Sequence, residues 1–173
     1  MTTNGAKTEK TYLQAVVQEP WVSARIKKKK VQFINGGPSE LVRKTAQTRC
    51  RIGFDRAYAV ADRDDFDVDS ALKIAQGVGI PLLISNPCFE AWLVLHFADC
   101  RKYLEDGDAA QQRLRKYLPT YEKEKLSFGD FAPFVQDAAD RARANNGAPD
   151  QNPSSLLWML IDVLRDVPGA DSC

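Results

Sequence analysis

The chain predicts an α/β fold: a mostly parallel sheet of about four strands flanked by helices, with a helical extension at the C-terminal end. Three observations carry this. Short apolar runs at residues 31–34, 56–61 and 80–85 alternate with segments whose apolar residues recur at helical spacing. Turn signals separate them: Asn35-Gly36-Gly37-Pro38, then Gly77 and Gly79, then Asn86-Pro87. Alternating strands and helices favour parallel strands joined by crossovers over hairpins. The 173 residues suit one domain, with an α/β core at about 1–107 and the extension at about 108–173.

Each element follows in order. Met1-Thr2-Thr3 reads as the end of a first strand and Asn4-Gly5 as a turn. So few residues leave two expectations, a stunted edge strand or a gene start lying upstream. A helix follows from about Thr8, with Tyr12, Leu13, Val16 and Val17 on one stripe. The lysines at 27–30 lead into a strand at 31–34, and Ser39 is expected to cap a helix running to about Arg51. After the strand at 56–61, Asp67 or Asp69 caps a helix that Gly77 and Gly79 end. Residues 80–85 read as a buried strand and 88–97 as a strongly apolar helix. From about residue 108 the pattern is helical only, with helices near 109–118, 128–145 and 154–166.

Composition excludes several classes. Lys+Arg total 24 and Asp+Glu 23, so the net charge of +1 neither demands nor forbids nucleic acid. Cys50, Cys88, Cys100 and Cys173 form no CxxC pair and suit no zinc-ligand spacing. With one histidine, a His-rich metal site is ruled out. No charged-then-apolar leader opens the chain, and no apolar run approaches the ~20 residues that span a bilayer. A reduced, cytoplasmic setting is the expectation, with Cys50 and Cys88 as small buried hydrophobes.

The densest chemical signal is Ala57-Tyr58-Ala59-Val60-Ala61-Asp62-Arg63-Asp64-Asp65, an apolar strand that stops at three carboxylates. In open α/β sheets, ligands gather just beyond the carboxyl ends of strands. Asp62 and Asp64 stand two apart, so extended backbone points them to one side. Two close hard anions suit Mg²⁺ or a basic partner. The same residues also suit a solvated acidic turn that caps the next helix.

Two further segments have the same double reading. The turn from Asn4 to Glu9 resembles a strand-to-helix anion site but lacks the glycines of a P-loop, and Thr8 could simply cap its helix. The run from Ser85 to Phe97 carries two ionisable groups on a very apolar helix, Glu90 in the first turn and His96 near the end. Glu90 falls near the sheet edge where Asp62 should sit, though it could serve only as a cap. His96 reads first as a satisfied structural histidine. Basic clusters lie at 25–30, at Arg43, Lys44, Arg49 and Arg51, and at 116–125, where Tyr117 and Tyr121 are interleaved. Cations with aromatic neighbours suit a phosphate backbone and unstacked bases, although charge runs are commonly solvated faces.

In order and content these segments resemble the RloB-like family, a Toprim-like (Rossmann-like) group associated with phage-defence and abortive-infection loci. The resemblance rests on Thr8-Glu9-Lys10-Thr11-Tyr12, on Asp62 to Phe66, on Ser85 to His96, and on Asn152-Pro153-Ser154-Ser155. It implies a Toprim-type core in which a glutamate after the first strand and an Asp-x-Asp after the third bind Mg²⁺ or Mn²⁺. Asp62 and Asp64 match the Asp-x-Asp, whereas Asn4 holds the glutamate's place, with Glu9 or Glu90 as substitutes. The implied activity is nuclease cleavage of DNA or RNA. Asp62, Asp64 and Asn4 would hold metal, and Glu90, or else Glu9, would take a proton. Lys7, Arg63, Asn86, His96, Lys123 and Lys125 would contact phosphate. The alternative is a catalytically silent subunit that binds nucleic acid or an ATPase partner (AAA or ABC type) from the same locus. Self-association into a homo-oligomer is a further expectation, and a membrane partner is not.

Overall fold

The computed structural model describes residues 1–22, 26–63, 67–145 and 150–165. Its first half alternates strand and helix as expected: β1 (Thr2–Thr3), α1 (Thr8–Val16), β2 (Gln32–Phe33), α2 (Pro38–Ile52), β3 (Ala59–Asp62), α3 (Val68–Val78) and β4 (Leu82–Asn86). The second half holds α4 (Phe89–Leu95), α5 (Gly107–Arg115), α6 (Val135–Ala144), β5 (Ser154–Ser155) and α7 (Leu157–Arg165). Three short 3-10 turns, Lys123–Lys125, Phe128–Asp130 and Ala132–Phe134, lie between α5 and α6.

The sheet runs β2-β1-β3-β4-β5, with four parallel strands and an antiparallel β5. Two expectations are corrected here. The first strand is not an edge: β1 pairs with both β2 and β3, and the N-terminal ammonium is held by the Lys30 carbonyl at 2.7 Å. Nor is the extension purely helical, because Ser154–Ser155 pairs with Asn86 and Ser85. The Ser85 and Ser155 hydroxyls meet at 2.9 Å, which satisfies two buried polar groups in one contact.

Each face of the sheet carries helices. One apolar cluster gathers α2 and α3 through Leu41, Val42, Ala71 and Ala75. The larger one gathers α1, α4, α6 and α7 through Tyr12, Leu13, Trp92, Ala138 and Leu160. All seven residues of α4 are buried, as a helix apolar all round requires. Burying a Leu, Val or Phe side chain contributes about 1.5–3 kcal/mol, so α4 is the post around which the extension packs. Arg143 joins α6 to α7, reaching both Asp162 oxygens at 2.6 and 2.7 Å and lying over Trp158.

Caps explain where helices begin. Asp67, the first of the two aspartates expected, accepts the Ser70 N–H at 3.1 Å. The α2 cap is Gly37 with Pro38 in the first turn, rather than Ser39. Thr8 caps nothing; its hydroxyl donates instead to the Lys123 carbonyl. Gly79 ends α3 at φ 63°, where a side chain would be strained. Cys88 and Cys100 are buried thiols, but Cys50 is exposed on α2, against expectation.

Candidate active site

The order β2-β1-β3-β4 reverses direction between β1 and β3, and ligands of open α/β sheets sit at such a switch point. Thr3 is in register with Val60, so Asn4 and Gly5 leave the sheet beside the carboxyl end of β3. Asp62 is the last residue of that strand and is buried. Arg63 follows with its N–H on the Ser85 carbonyl at 2.9 Å, and Asn86 ends β4 two positions beyond Ile84.

Glu9 reaches this rim from the first turn of α1. Its carboxylate lies over Gly5, where any Cβ would fall inside it, and its side chain hydrogen-bonds to Asp62. Burial raises the Glu9 pKa, the Glu90 charge adds to the rise, and hydrogen bonds oppose it. The glycine is therefore a steric requirement, since only a residue without a side chain lets this carboxylate fold back onto the backbone.

Glu90 enters from α4 with no solvent exposure at all. The Tyr121 hydroxyl donates to its Oε1 at 3.1 Å, and the Lys123 ammonium stands 3.5 Å from the same oxygen. Its Oε2 is buried without a hydrogen-bond partner among the described residues. Burial disfavours the Lys123 ammonium, yet the carboxylates of Glu90, Glu9 and Asp62 outweigh it and raise its pKa. Burial, reinforced by Glu90 and Asp62, pushes the neighbouring Cys88 thiol up, which keeps it neutral. The Tyr121 phenol is raised in the same way by burial and Glu90.

So Glu9, Asp62, Glu90 and Lys123 converge, from α1, β3, α4 and the first 3-10 turn. The backbone holding Lys123 is fixed from both sides, by Thr8 Oγ1 at 2.6 Å and by Arg115 Nε on the Tyr121 carbonyl at 3.3 Å. Asn4 is half-buried just past β1. Asp64 lies outside the described residues. Among the described residues, no group of three His, Cys, Asp or Glu side chains is already drawn together in a metal-holding arrangement.

Other expected contacts fall elsewhere. His96 is corrected from phosphate contact to core residue: it is buried, with Nε2 at 2.9 Å from the Tyr12 hydroxyl and Nδ1 at 3.1 Å from the Trp92 carbonyl. Burial pulls its pKa down to about 3. Lys7 and Lys125 are exposed and paired with Glu124 and Glu122, the latter at 2.7 Å. The reading of Tyr121 as a base-stacking aromatic is likewise corrected, because its ring is buried and its hydroxyl is spent on Glu90. Tyr117 stacks on Phe97 with ring centroids 6.1 Å apart. Tyr121 was missed as a site residue because it lies 31 positions from Glu90; its place two residues before Lys123 was the only local signal.

No curated protein and no solved structure matches the chain. The model of the family described as RloB-like protein matches residues 1–164, taking in the sheet, the four converging residues and nearly all of the extension. That span settles the family resemblance noted in the motifs, and the chain belongs to the RloB-like proteins.

Proposed function

We propose that the protein is a metal-dependent phosphodiesterase that cuts DNA or RNA, acting in bacterial defence against phage. One observation carries the reading: three buried carboxylates from separate elements, Glu9, Asp62 and Glu90, all lie within electrostatic reach of Lys123 near the β1/β3 rim. Burying several acids together is unfavourable unless a cation answers them. A carboxyl whose pKa is raised by burial and a like charge, as that of Glu9 is, at a sheet's carboxyl edge makes a functional-site candidate.

The donor set fits a hard divalent ion such as Mg²⁺ or Mn²⁺. Glu9 and Asp62 offer adjacent oxygens, and Oε2 of Glu90 is a buried acceptor still in need of a partner. Asp62 and Glu9, with Asp64 and Asn4 near in sequence, would hold the metal. When bound, such an ion polarises a phosphoryl oxygen and makes water more acidic. Burial raises the pKa of Glu9, and an ion beside it would favour its charged form. Glu90 is held by Tyr121 and Lys123, and through that contact it positions the lysine. Lys123, half exposed at the rim, can turn its ammonium towards charge developing on a substrate phosphate.

A second reading has two observations in its favour. Lys123 already answers the carboxylates, and Asn4 is neutral, as a silent subunit bound to an ATPase or nucleic acid would allow. Incubation of the protein with labelled RNA, single-stranded DNA and duplex DNA, with Mg²⁺, Mn²⁺ or chelator, separates the two. Cleavage that chelator stops and that Asp62→Asn loses, with unfolding unchanged, supports the enzyme. Equal cleavage by parent and Asp62→Asn would remove it. Absence of saturable divalent binding would leave the silent subunit.

A further inference from the structure

The basic segments at 27–30 and along α2 take no part in the carboxylate rim. Being first in the sheet order, β2 pairs with a strand on one side only among the described residues. Beside it opens a cleft of about 500 Å³ between the outer edge of β2 and α2. Lys44, Gln47, Thr48 and Arg51 line it from the helix, and Gln32 and Asn35 from the strand. Their spacing of three, four and seven residues places the helix residues in one row. At ~1.5 Å of rise per residue, Lys44 and Arg51 stand ~10 Å apart along the axis. No acidic residue lines the cleft. Lys44 pairs with Glu40, one turn before it on α2, at 2.7 Å (Nζ to Oε1), both side chains being half-exposed. Such exposed pairs exchange readily for a better anion.

We infer that this cleft is a track for the phosphodiester backbone of a single-stranded polynucleotide leading to the carboxylate rim. Three features favour that occupant. Guanidinium, ammonium, amide and hydroxyl groups are the donors that polynucleotide backbones attract. The lysines at 27–30 are exposed and lead directly into β2, extending the positive surface; of these, Lys29 Nζ is tied to the Val17 carbonyl at 3.0 Å. Finally, β2 runs parallel to β1, so its carboxyl end at Asn35 opens on the same rim as the carboxylates. The cleft is too short and one-sided to take a duplex; it suits a strand laid along the helix. This inference names the substrate track of the proposed phosphodiesterase, and rests on that reading for its purpose but not for its test.

The test measures binding in chelator, by fluorescence anisotropy, to single-stranded RNA and DNA of equal length and to a duplex. Parent, Lys44→Gln/Arg51→Gln and the distant surface control Lys102→Gln are compared across salt. The double variant is expected to lose about tenfold in affinity for one or both single strands, and its salt slope to shrink by about 0.7 per lost phosphate contact. The control should match the parent. Polyglutamate, a probe for an acidic protein partner, should not compete at equal charge. Equal affinity of parent and double variant overturns the track, as does competition by polyglutamate at matched concentration. Circular dichroism checks that the exposed substitutions leave the fold intact. Hydrolysis of a small chromogenic phosphodiester by the parent is followed separately. If it is absent while the binding pattern holds, the nuclease reading falls and the track stands.

Discussion

The Lys123 ammonium stands 3.5 Å from Oε1 of Glu90, a carboxylate with no solvent exposure. Glu9 and Asp62 share its field. Removing one partner of a fully buried ion pair costs roughly 3–5 kcal/mol. Because half of the Lys123 side chain is exposed, solvent screens much of that, and Lys123→Met should cost about 1–2 kcal/mol. Thermal unfolding in chelator measures it. Millimolar Mg²⁺ should restore more stability to the variant than it adds to the parent, since a second cation then answers the same acids. A variant whose melting ignores Mg²⁺ would contradict the grouping of these residues around a cation.

Glu9→Gln should separate stability from activity. The native Glu9 pKa is raised, first by burial and then by Glu90, so ionised Glu9 weakens the folded state above its ordinary pKa of ~4.3. The amide removes that penalty while keeping a group able to hydrogen-bond Asp62. The variant should be more stable than the parent near pH 7. The gain should shrink as pH falls through the ordinary carboxylate range and vanish below it, where the parent carboxyl is protonated in both states. Hydrolysis should fall by at least about tenfold, because the neutral amide is a weaker ligand for a hard divalent ion. Chemical denaturation at pH 7 and pH 4 gives the first result and a substrate assay the second.

Gly5→Ala probes the same carboxylate sterically. The new Cβ would occupy the place of the Glu9 carboxylate, which sits at the far end of a flexible side chain and can swing away. The fold should lose only about 1–3 kcal/mol, as in ordinary overpacking. Divalent binding by calorimetry should weaken far more than unfolding does. Metal affinity equal to the parent's would show that Glu9 has no part in holding the ion.

His96 predicts an acid-sensitive core. Its folded pKa, about 3, lies below the ordinary ~6.5 because burial disfavours the charged ring. Between those values the unfolded chain binds a proton that the native ring refuses. Stability is therefore level above ~6.5 and falls on acidification by up to ~1.4 kcal/mol per pH unit. Arg141, which donates to the His96 carbonyl at 2.9 Å, adds to the resistance. His96→Asn should be less stable at pH 7 but show a flatter fall between pH 6.5 and 4 in thermal melts. Parallel curves would put the acid sensitivity elsewhere.

The sheet was legible where strands are long and apolar. Residues 59–62 and 82–86 announced themselves through β-forming runs ended by Asp62 and Asn86-Pro87. β1 and β5 were not so plain, because two threonines and two serines carry no apolar period. They belong to the sheet through backbone pairing and hydroxyl contacts, which composition does not reveal. At the site, strand position made Asp62 readable and the first turn of an apolar helix did the same for Glu90. Glu9 was readable only as a substitute for the residue missing at Asn4, since its arrival at Asp62 depends on the space left by Gly5. Lys123 was one lysine among several in a charged stretch. Its distinction comes from the Thr8 and Glu90 contacts, both far away in sequence.

Ribosomes make proteins from the amino end at ~5–20 residues per second, so the acids at 9, 62 and 90 emerge seconds before Tyr121 and Lys123. The closing strand at 154–155 comes later still. A translation product abandoned before Tyr121 lacks the groups that restrain Glu90, and one abandoned before residue 154 lacks the last rung beside β4. Copies that stop before Tyr121 thus carry no assembled centre, and whatever chemistry the molecule performs begins only once the segment bearing Tyr121 and Lys123 has been made.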